Sequence, residues 1–216
     1  RRLSARRGRS GSAMTATVAL FGTSADPPTV GHRAVLEGLT GLVPLVATWA
    51  SDNPFKQHGA PLELRAALLE AVVRDLQQQV GPGRLELCQD LSSRRVRDSL
   101  ERAAQRFPDH DRLLVVGSDL LEQIPRWAAL EAWLPGCRLG VIARQGWPVQ
   151  PAALERLRQL GGRPELLPLH IPAAASSSIR RHPDPQLVPP ELLPRLMAQN
   201  LYGFSADGCP PPCGSR

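Results

Sequence analysis

Apolar positions along this chain fall into two kinds of run. Short blocks rich in Val, Leu and Ala read as buried strands at Thr17–Phe21, Leu45–Trp49, Leu85–Cys88, Leu113–Val116, Leu139–Ala143 and Glu165–Leu169. Longer segments, with apolar residues three and four apart, predict helices over Arg33–Leu42, Leu62–Val80, Val96–Phe107, Trp127–Trp133 and Ala152–Leu160. Strands and helices that alternate in this way build a parallel sheet rather than a sandwich or a bundle. Right-handed crossovers then give an α/β fold, a single doubly wound Rossmann-like sheet flanked by helices. A short helix start at Ser176–Arg181 and a terminal helix at Pro189–Gln199, with Pro in its first turn, complete the reading.

Ligands of such sheets bind outside the carboxyl ends of the strands. The residues to interrogate are therefore Gly22–His32, Ala50–His58, Gly117–Asp119, Arg144–Trp147 and, after a longer loop, Ser176–Arg180.

The chain has 216 residues, a length that one hydrophobic core can serve. No window is apolar enough to span a membrane. The net charge of +6 invites a nucleic-acid reading until the charge is located. Residues 1–13 carry five arginines and no acid, whereas Met14–Phe204 holds 20 basic against 19 acidic residues. The basicity thus belongs to a tail, and residues 1–13 and 205–216 are expected to be disordered flanks of one domain at 14–204. The Arg- and Ser-rich start is compatible with a transit peptide, an upstream extension or an RNA-binding arm; no aromatic residue is interleaved with its arginines, which counts against the last. Cys88 and Cys137 suit reduced thiols of a cytoplasmic protein, and Cys209 and Cys213 have too few companions for a tetrahedral metal site.

Of 26 lysines and arginines only Lys56 is a lysine, and the two side chains are not interchangeable at a phosphate. In the first loop Pro27-Pro28 stiffens the path into a helix, and Thr29 and His32 stand three apart, on one face if the chain is already helical there. A hydroxyl and an imidazole at a helix N-terminus suit a polyphosphate. Taken alone, a capping threonine and a packed or solvated histidine explain the same spacing.

The order of motifs decides between these. Gly22, Asp26, Pro27, Pro28, Thr29, Gly31 and His32 resemble the G-x-F-D-P-x-H-x-G-H signature of the nucleotidylyltransferase superfamily, with Ala25 in place of the usual Phe and Thr in place of the first His. Asn53-Pro54-Phe55-Lys56 followed by Arg65, Gly117-Ser118-Asp119 followed by Pro125-Arg126-Trp127, Arg144-Gln145-Gly146, and Ser176-Ser177-Ser178-Ile179-Arg180 resemble, in sequence order, the motifs of the bacterial nicotinate-nucleotide adenylyltransferase family. The resemblance runs from about Thr15 to Gly203.

It implies transfer of AMP from ATP to nicotinate mononucleotide, giving nicotinate adenine dinucleotide and pyrophosphate in NAD biosynthesis, with magnesium accompanying ATP. On that basis His32, Thr29, Lys56 and Arg180 are the expected catalytic set. His32 would stabilise the α-phosphate, and Thr29 and Arg180 would hold the β- and γ-phosphates. Gly22, Thr23, Ser24, Gly31, Gly117, Asp119, Ser177 and Ile179 would join His32 and Arg180 around ATP. Asn53, Lys56, Arg95, Trp127 and Arg144 would surround the mononucleotide, with Trp127 stacked on the pyridine ring. The pyridine-side segment Ser93–Leu100 departs from the family by carrying Arg95 and Val96 where Tyr and Thr usually stand.

Partners are expected to be small molecules, with no membrane or nucleic acid and with a homo-oligomer left open. Two enzyme alternatives are nicotinamide-mononucleotide and phosphopantetheine adenylyltransferase. A class I aminoacyl-tRNA synthetase fragment would need a second lysine segment that the chain lacks. A non-catalytic nucleotide-binding sensor is the alternative of another class; binding without turnover would not require Thr29, His32, Lys56, Ser177 and Arg180 together.

Overall fold

In the computed structural model, which describes residues 15–53 and 56–205, six strands are formed: β1 (Ala16–Thr23), β2 (Leu45–Ala50), β3 (Leu85–Leu87), β4 (His110–Gly117), β5 (Arg138–Ile142) and β6 (Arg163–Leu166). All pair in parallel, in the order β3-β2-β1-β4-β5-β6. The expected tails, residues 1–13 and 205–216, lie outside the described residues except for Ser205; Cys209 and Cys213 are among those outside.

Among the described residues seven α-helices, α1 (Val30–Leu42), α2 (Leu62–Val80), α3 (Val96–Arg106), α4 (Leu130–Trp133), α5 (Pro151–Gln159), α6 (Ser176–Arg181) and α7 (Leu193–Ala198), cover the two faces. Strand alternation divides the core between them. Ala19 and Phe21 of β1 pack with Val35, Leu36 and Leu39 of α1, Leu68 and Leu69 of α2, and Ile179 of α6. Val18 and Leu20 pack on the other face with Ala103, Trp133 and Leu157. Each such fully buried leucine or valine contributes about 1.5–3 kcal/mol, so the opposed cores fix the register of β1 on both sides.

Four sequence expectations need correction. β1 runs two residues past Phe21, since Gly22 and Thr23 pair with Trp49 and Ala50. The helix expected over Trp127–Trp133 shrinks to α4, because Ala129 takes a left-handed conformation (φ 53°) that interrupts it. β6 starts two residues before Glu165 and includes Pro164, tolerated because β6 is an edge strand. The terminal helix splits into a 3-10 turn at Pro190–Leu192 and α7, since Pro194 has no N–H to continue the ladder. Among the described residues, no helix is long and apolar enough to cross a membrane.

Candidate active site

β1 and β4 are neighbours in the sheet, while β2 lies beyond β1 on one side and β5 beyond β4 on the other. That reversal opens a crevice at their carboxyl ends. The crevice receives the loop after β1, the loop after β2, Gly117–Asp119 and the Arg144 turn.

The loop after β1 ends at Thr29, the N-cap of α1. The His32 backbone N–H donates to Thr29 Oγ1 at 3.3 Å, and the Thr29 N–H donates back to His32 Nδ1 at 3.0 Å. This is a capping box with histidine in the place usually taken by Glu or Gln. The Thr29 hydroxyl lies 2.9 Å from Nδ1 and 3.1 Å from the Ala174 carbonyl, with one proton to share between them. Because Nδ1 accepts a backbone N–H it carries no proton, and the neutral ring holds its hydrogen on Nε2. Burial, reinforced by the positive charges of Arg144 and Lys56, pushes the His32 pKa down to about 3. The imidazole is therefore a neutral donor at neutral pH. Gly31 sits in a tight place: a Cβ there would stand 3.2 Å from the Pro172 carbonyl oxygen.

Arg65, on the first turn of α2, is 1% exposed and ties the surrounding loops together. Its guanidinium donates to the carbonyls of Ser24 at 2.6 Å, Ser51 at 2.9 Å and Ala60 at 3.1 Å. Burial lowers its pKa, opposed chiefly by Asp26. The sequence places this arginine but gives no hint that its partners are backbone atoms rather than a substrate.

Asp26 is a second junction. Also 1% exposed, it accepts from the Gly59 N–H at 2.6 Å and from the Tyr202 hydroxyl at 2.8 Å. Arg180 Nη1 donates to the Asp26 carbonyl at 2.6 Å and lies 3.3 Å from its carboxylate. His58 Nδ1 is 3.7 Å from the same carboxylate. Neither His58 nor Tyr202 belongs to the site residues expected from the sequence. The structure brings both to a buried carboxylate, across contacts that no local pattern announces.

On the β4 side Asp119 pairs with Arg144 at 3.1 Å, and its other oxygen is buried without a partner. Gly117 makes this pair sterically allowed, since its missing side chain would meet the Asp119 carboxylate and stand 2.8 Å from Arg144 Cδ. Ser118 Oγ accepts from the Arg144 N–H at 2.9 Å and donates to the Trp147 carbonyl at 2.6 Å, fixing the Arg144 turn to the end of β4. Lys56, exposed on the loop after β2, lies within electrostatic range of the Asp119–Arg144 pair. Its pKa is lowered by desolvation, then by Arg144 and Arg180, against the opposing pull of Asp119. Its backbone N–H donates to the Asn53 carbonyl at 3.2 Å.

The structure thus assembles His32, Lys56, Asp119, Arg144 and Arg180, with Thr29 and Gly31 behind them. Other expected site residues are placed differently. Thr29 is fully buried, with its hydroxyl committed to His32 and Ala174, so it orients the histidine and presents no group to a phosphate. Ile179 is a core side chain, and its N–H is spent on Ala175 at 3.3 Å. Gly22 makes room for the Trp49 indole, 2.7 Å from where a Cβ would stand. Thr23 is buried at the end of β1, its carbonyl accepting from Ser51, and the Ser24 carbonyl serves Arg65. Trp127 is half-buried against Trp133, ring centroids 6.0 Å apart. Arg95 is exposed at the start of α3, and Ser177 is exposed on α6. Among the described residues, no group of three or more His, Cys, Asp or Glu is placed to hold a metal.

Comparison with known proteins gives a consistent set of relatives. The cytidylyltransferase-like family matches residues 20–182. A probable nicotinate-nucleotide adenylyltransferase of Synechocystis sp. is 40% identical over 198 residues, covering 86% of this chain and 98% of the relative. One from Anaeromyxobacter dehalogenans is 30% identical, covering 86% and 96%. In fold, the chain resembles a Plasmodium falciparum nicotinic acid mononucleotide adenylyltransferase solved with NaAD. The TM-score is 0.71 at 17% identity, over 88% of this chain and 98% of the other.

Proposed function

Since the chain belongs to the cytidylyltransferase-like family, we propose that it is an adenylyltransferase that joins ATP to nicotinate mononucleotide, releasing pyrophosphate and forming nicotinate adenine dinucleotide for NAD biosynthesis. The observation that carries this reading is the Thr29 N–H hydrogen bond to His32 Nδ1, which holds the imidazole at a helix mouth in the switch-point crevice.

The phosphate of the mononucleotide attacks the α-phosphorus of ATP, the bond to the bridging oxygen breaks, and pyrophosphate carries the electron pair away. No covalent enzyme intermediate is needed, so the protein's task is to align two anions and stabilise charge that develops in the transition state. His32 Nε2–H donates to an α-phosphate oxygen, strengthening as charge builds there. Because Nδ1 is already held, the imidazole arrives oriented and loses little entropy in the act. Arg180 and Lys56 meet the outgoing pyrophosphate and the incoming phosphate as fixed positive charges. The unpartnered oxygen of Asp119 accepts from a ribose hydroxyl, which would otherwise leave a buried acceptor unsatisfied.

Magnesium bound with ATP would supply further charge neutralisation at the phosphates, beside Lys56 and Arg180. The test is pyrophosphate release with magnesium and ATP, offered nicotinate mononucleotide, nicotinamide mononucleotide and phosphopantetheine in parallel. Turnover on the nicotinate substrate, lowered about 100-fold or more by His32→Ala, supports the reading. Preference for either other acceptor reassigns the substrate, and ATP binding without turnover on any acceptor replaces the enzyme with a sensor.

A further inference from the structure

We propose that Tyr202 is a positioning residue for ATP, acting through the Asp26 carboxylate to hold Arg180 in place. Tyr202 lies 20 residues beyond the stretch matched by the family, in a segment that the catalytic motifs do not include. Its hydroxyl donates to one Asp26 oxygen at 2.8 Å, while the other oxygen faces Arg180 at 3.3 Å and accepts from the Gly59 N–H at 2.6 Å.

The backbone is bent to bring the phenol there. Asn200 and Tyr202 both adopt left-handed conformations, φ 49° and 54°, and neither is a glycine. Such residues persist only where the surroundings over-determine them. Gly203, φ 80°, completes the bend against Pro183, whose ring lies 2.8 Å from where a Cβ would stand.

The electrostatics give the bend a purpose. Asp26 is almost wholly buried, and a buried carboxylate needs its hydrogen bonds filled. With the phenol bonded to one oxygen, the carboxylate is fixed in rotation and offers the other to Arg180 and Gly59. The guanidinium is then anchored through Nη1, which also reaches the Asp26 carbonyl at 2.6 Å, leaving its remaining N–H groups for phosphate. Without the phenol, Asp26 can rotate toward Arg180 and draw the guanidinium into a closer pair, away from the crevice. Gly59 has no side chain to obstruct Arg180, whose Cδ lies 2.6 Å from the place a Cβ would take. The C-terminal segment is thereby part of the phosphate site without touching substrate.

The inference rests on the adenylyltransferase reading for its kinetic test, and a binding test separates the two. Tyr202→Phe keeps the ring and removes only the hydroxyl. It is expected to raise the KM for ATP about tenfold, the scale of one hydrogen bond to a charged acceptor, with the KM for nicotinate mononucleotide changed less than about twofold. In an Arg180→Ala background the same substitution should add nothing further to the KM for ATP. Equal effects on both substrates, an unchanged KM with only a lowered melting temperature, or an effect that persists in full without Arg180 would overturn the proposal. If the wild-type chain shows no turnover, the enzymatic reading fails, and the same four proteins titrated with ATP by calorimetry decide the positioning role alone. An independent check is Asp26→Asn, which should abolish the selective effect of Tyr202→Phe on ATP. Retention of that effect would also count against the proposal.

Discussion

The backbone N–H of Thr29 donates to Nδ1 of His32 at 3.0 Å, so the residue that begins α1 also fixes the tautomer of the imidazole three positions later. This contact has a direct kinetic consequence. His32→Ala removes a preorganised donor to the reacting phosphate and should lower kcat by about 100- to 1,000-fold, the usual range for one such donor. His32→Asn keeps a donor of different reach and should recover only part of the loss. Steady-state pyrophosphate release measures both.

Thr29 separates orientation from contact. Being fully buried, it should influence turnover only through His32. Thr29→Ser retains the hydroxyl and should hold kcat within a few-fold. Thr29→Ala should lower kcat by more than tenfold and cost about 1 kcal/mol of stability through the lost cap, seen as an earlier urea midpoint.

The depressed pKa of His32 links folding to pH. The imidazole has an ordinary value of 6.5 and titrates near 3 in the folded chain. Between those values the unfolded chain binds the extra proton, so stability rises with pH across the window. The contribution is complete above about pH 6.5 and is lost as pH falls toward 3. Urea midpoints measured from pH 7.5 down to 4.5 should decline, and less steeply in His32→Asn.

Arg65→Ala should destabilise the protein by about 3 kcal/mol or more, because it leaves the carbonyls of Ser24, Ser51 and Ala60 without their donor. Arg65→Lys keeps the charge but loses the planar fork and should recover only part of that stability. Activity should fall in both, since the loops held by Arg65 carry the crevice. Chemical denaturation together with kcat/KM reports the two effects.

Gly22→Ala tests a close packing contact. The added methyl would stand 2.7 Å from the Trp49 indole, within the sheet. Overpacking of this kind costs about 1–3 kcal/mol, and a shift in the near-ultraviolet tryptophan signal should accompany it.

The fold was largely legible in the chain because its main signal is local. The alternation of Val18, Ala19, Leu20 and Phe21 between two faces, and the helix-period runs between strands, foretell the sheet and its winding. Errors arose where one residue's backbone overrode the pattern, as at Ala129, or where prolines divided a helix, as at Pro194. In the site, sequence order brought His32, Lys56, Asp119, Arg144 and Arg180 to one crevice because all follow strands or a helix start. Thr29 and Ile179, also expected around ATP, are fully buried; spacing does not reveal which residues meet the core. Tyr202 was missed for a different reason. Its partner Asp26 lies 176 residues earlier, and a hydrogen bond over that distance leaves no periodicity to read.

Arg65 makes two crevice loops mechanically interdependent, because one guanidinium holds the Ser24 carbonyl of the loop after β1 and both ends of the loop after β2, at Ser51 and Ala60. A sequence change that shifts either of them alters the support of the other. In evolutionary terms this is built-in epistasis: a loop exchange that tunes acceptor choice in isolation inherits a donor set for the wrong neighbours. Successful recombination of this site therefore transfers the two loops as a block, together with the first turn of the helix that carries their common arginine.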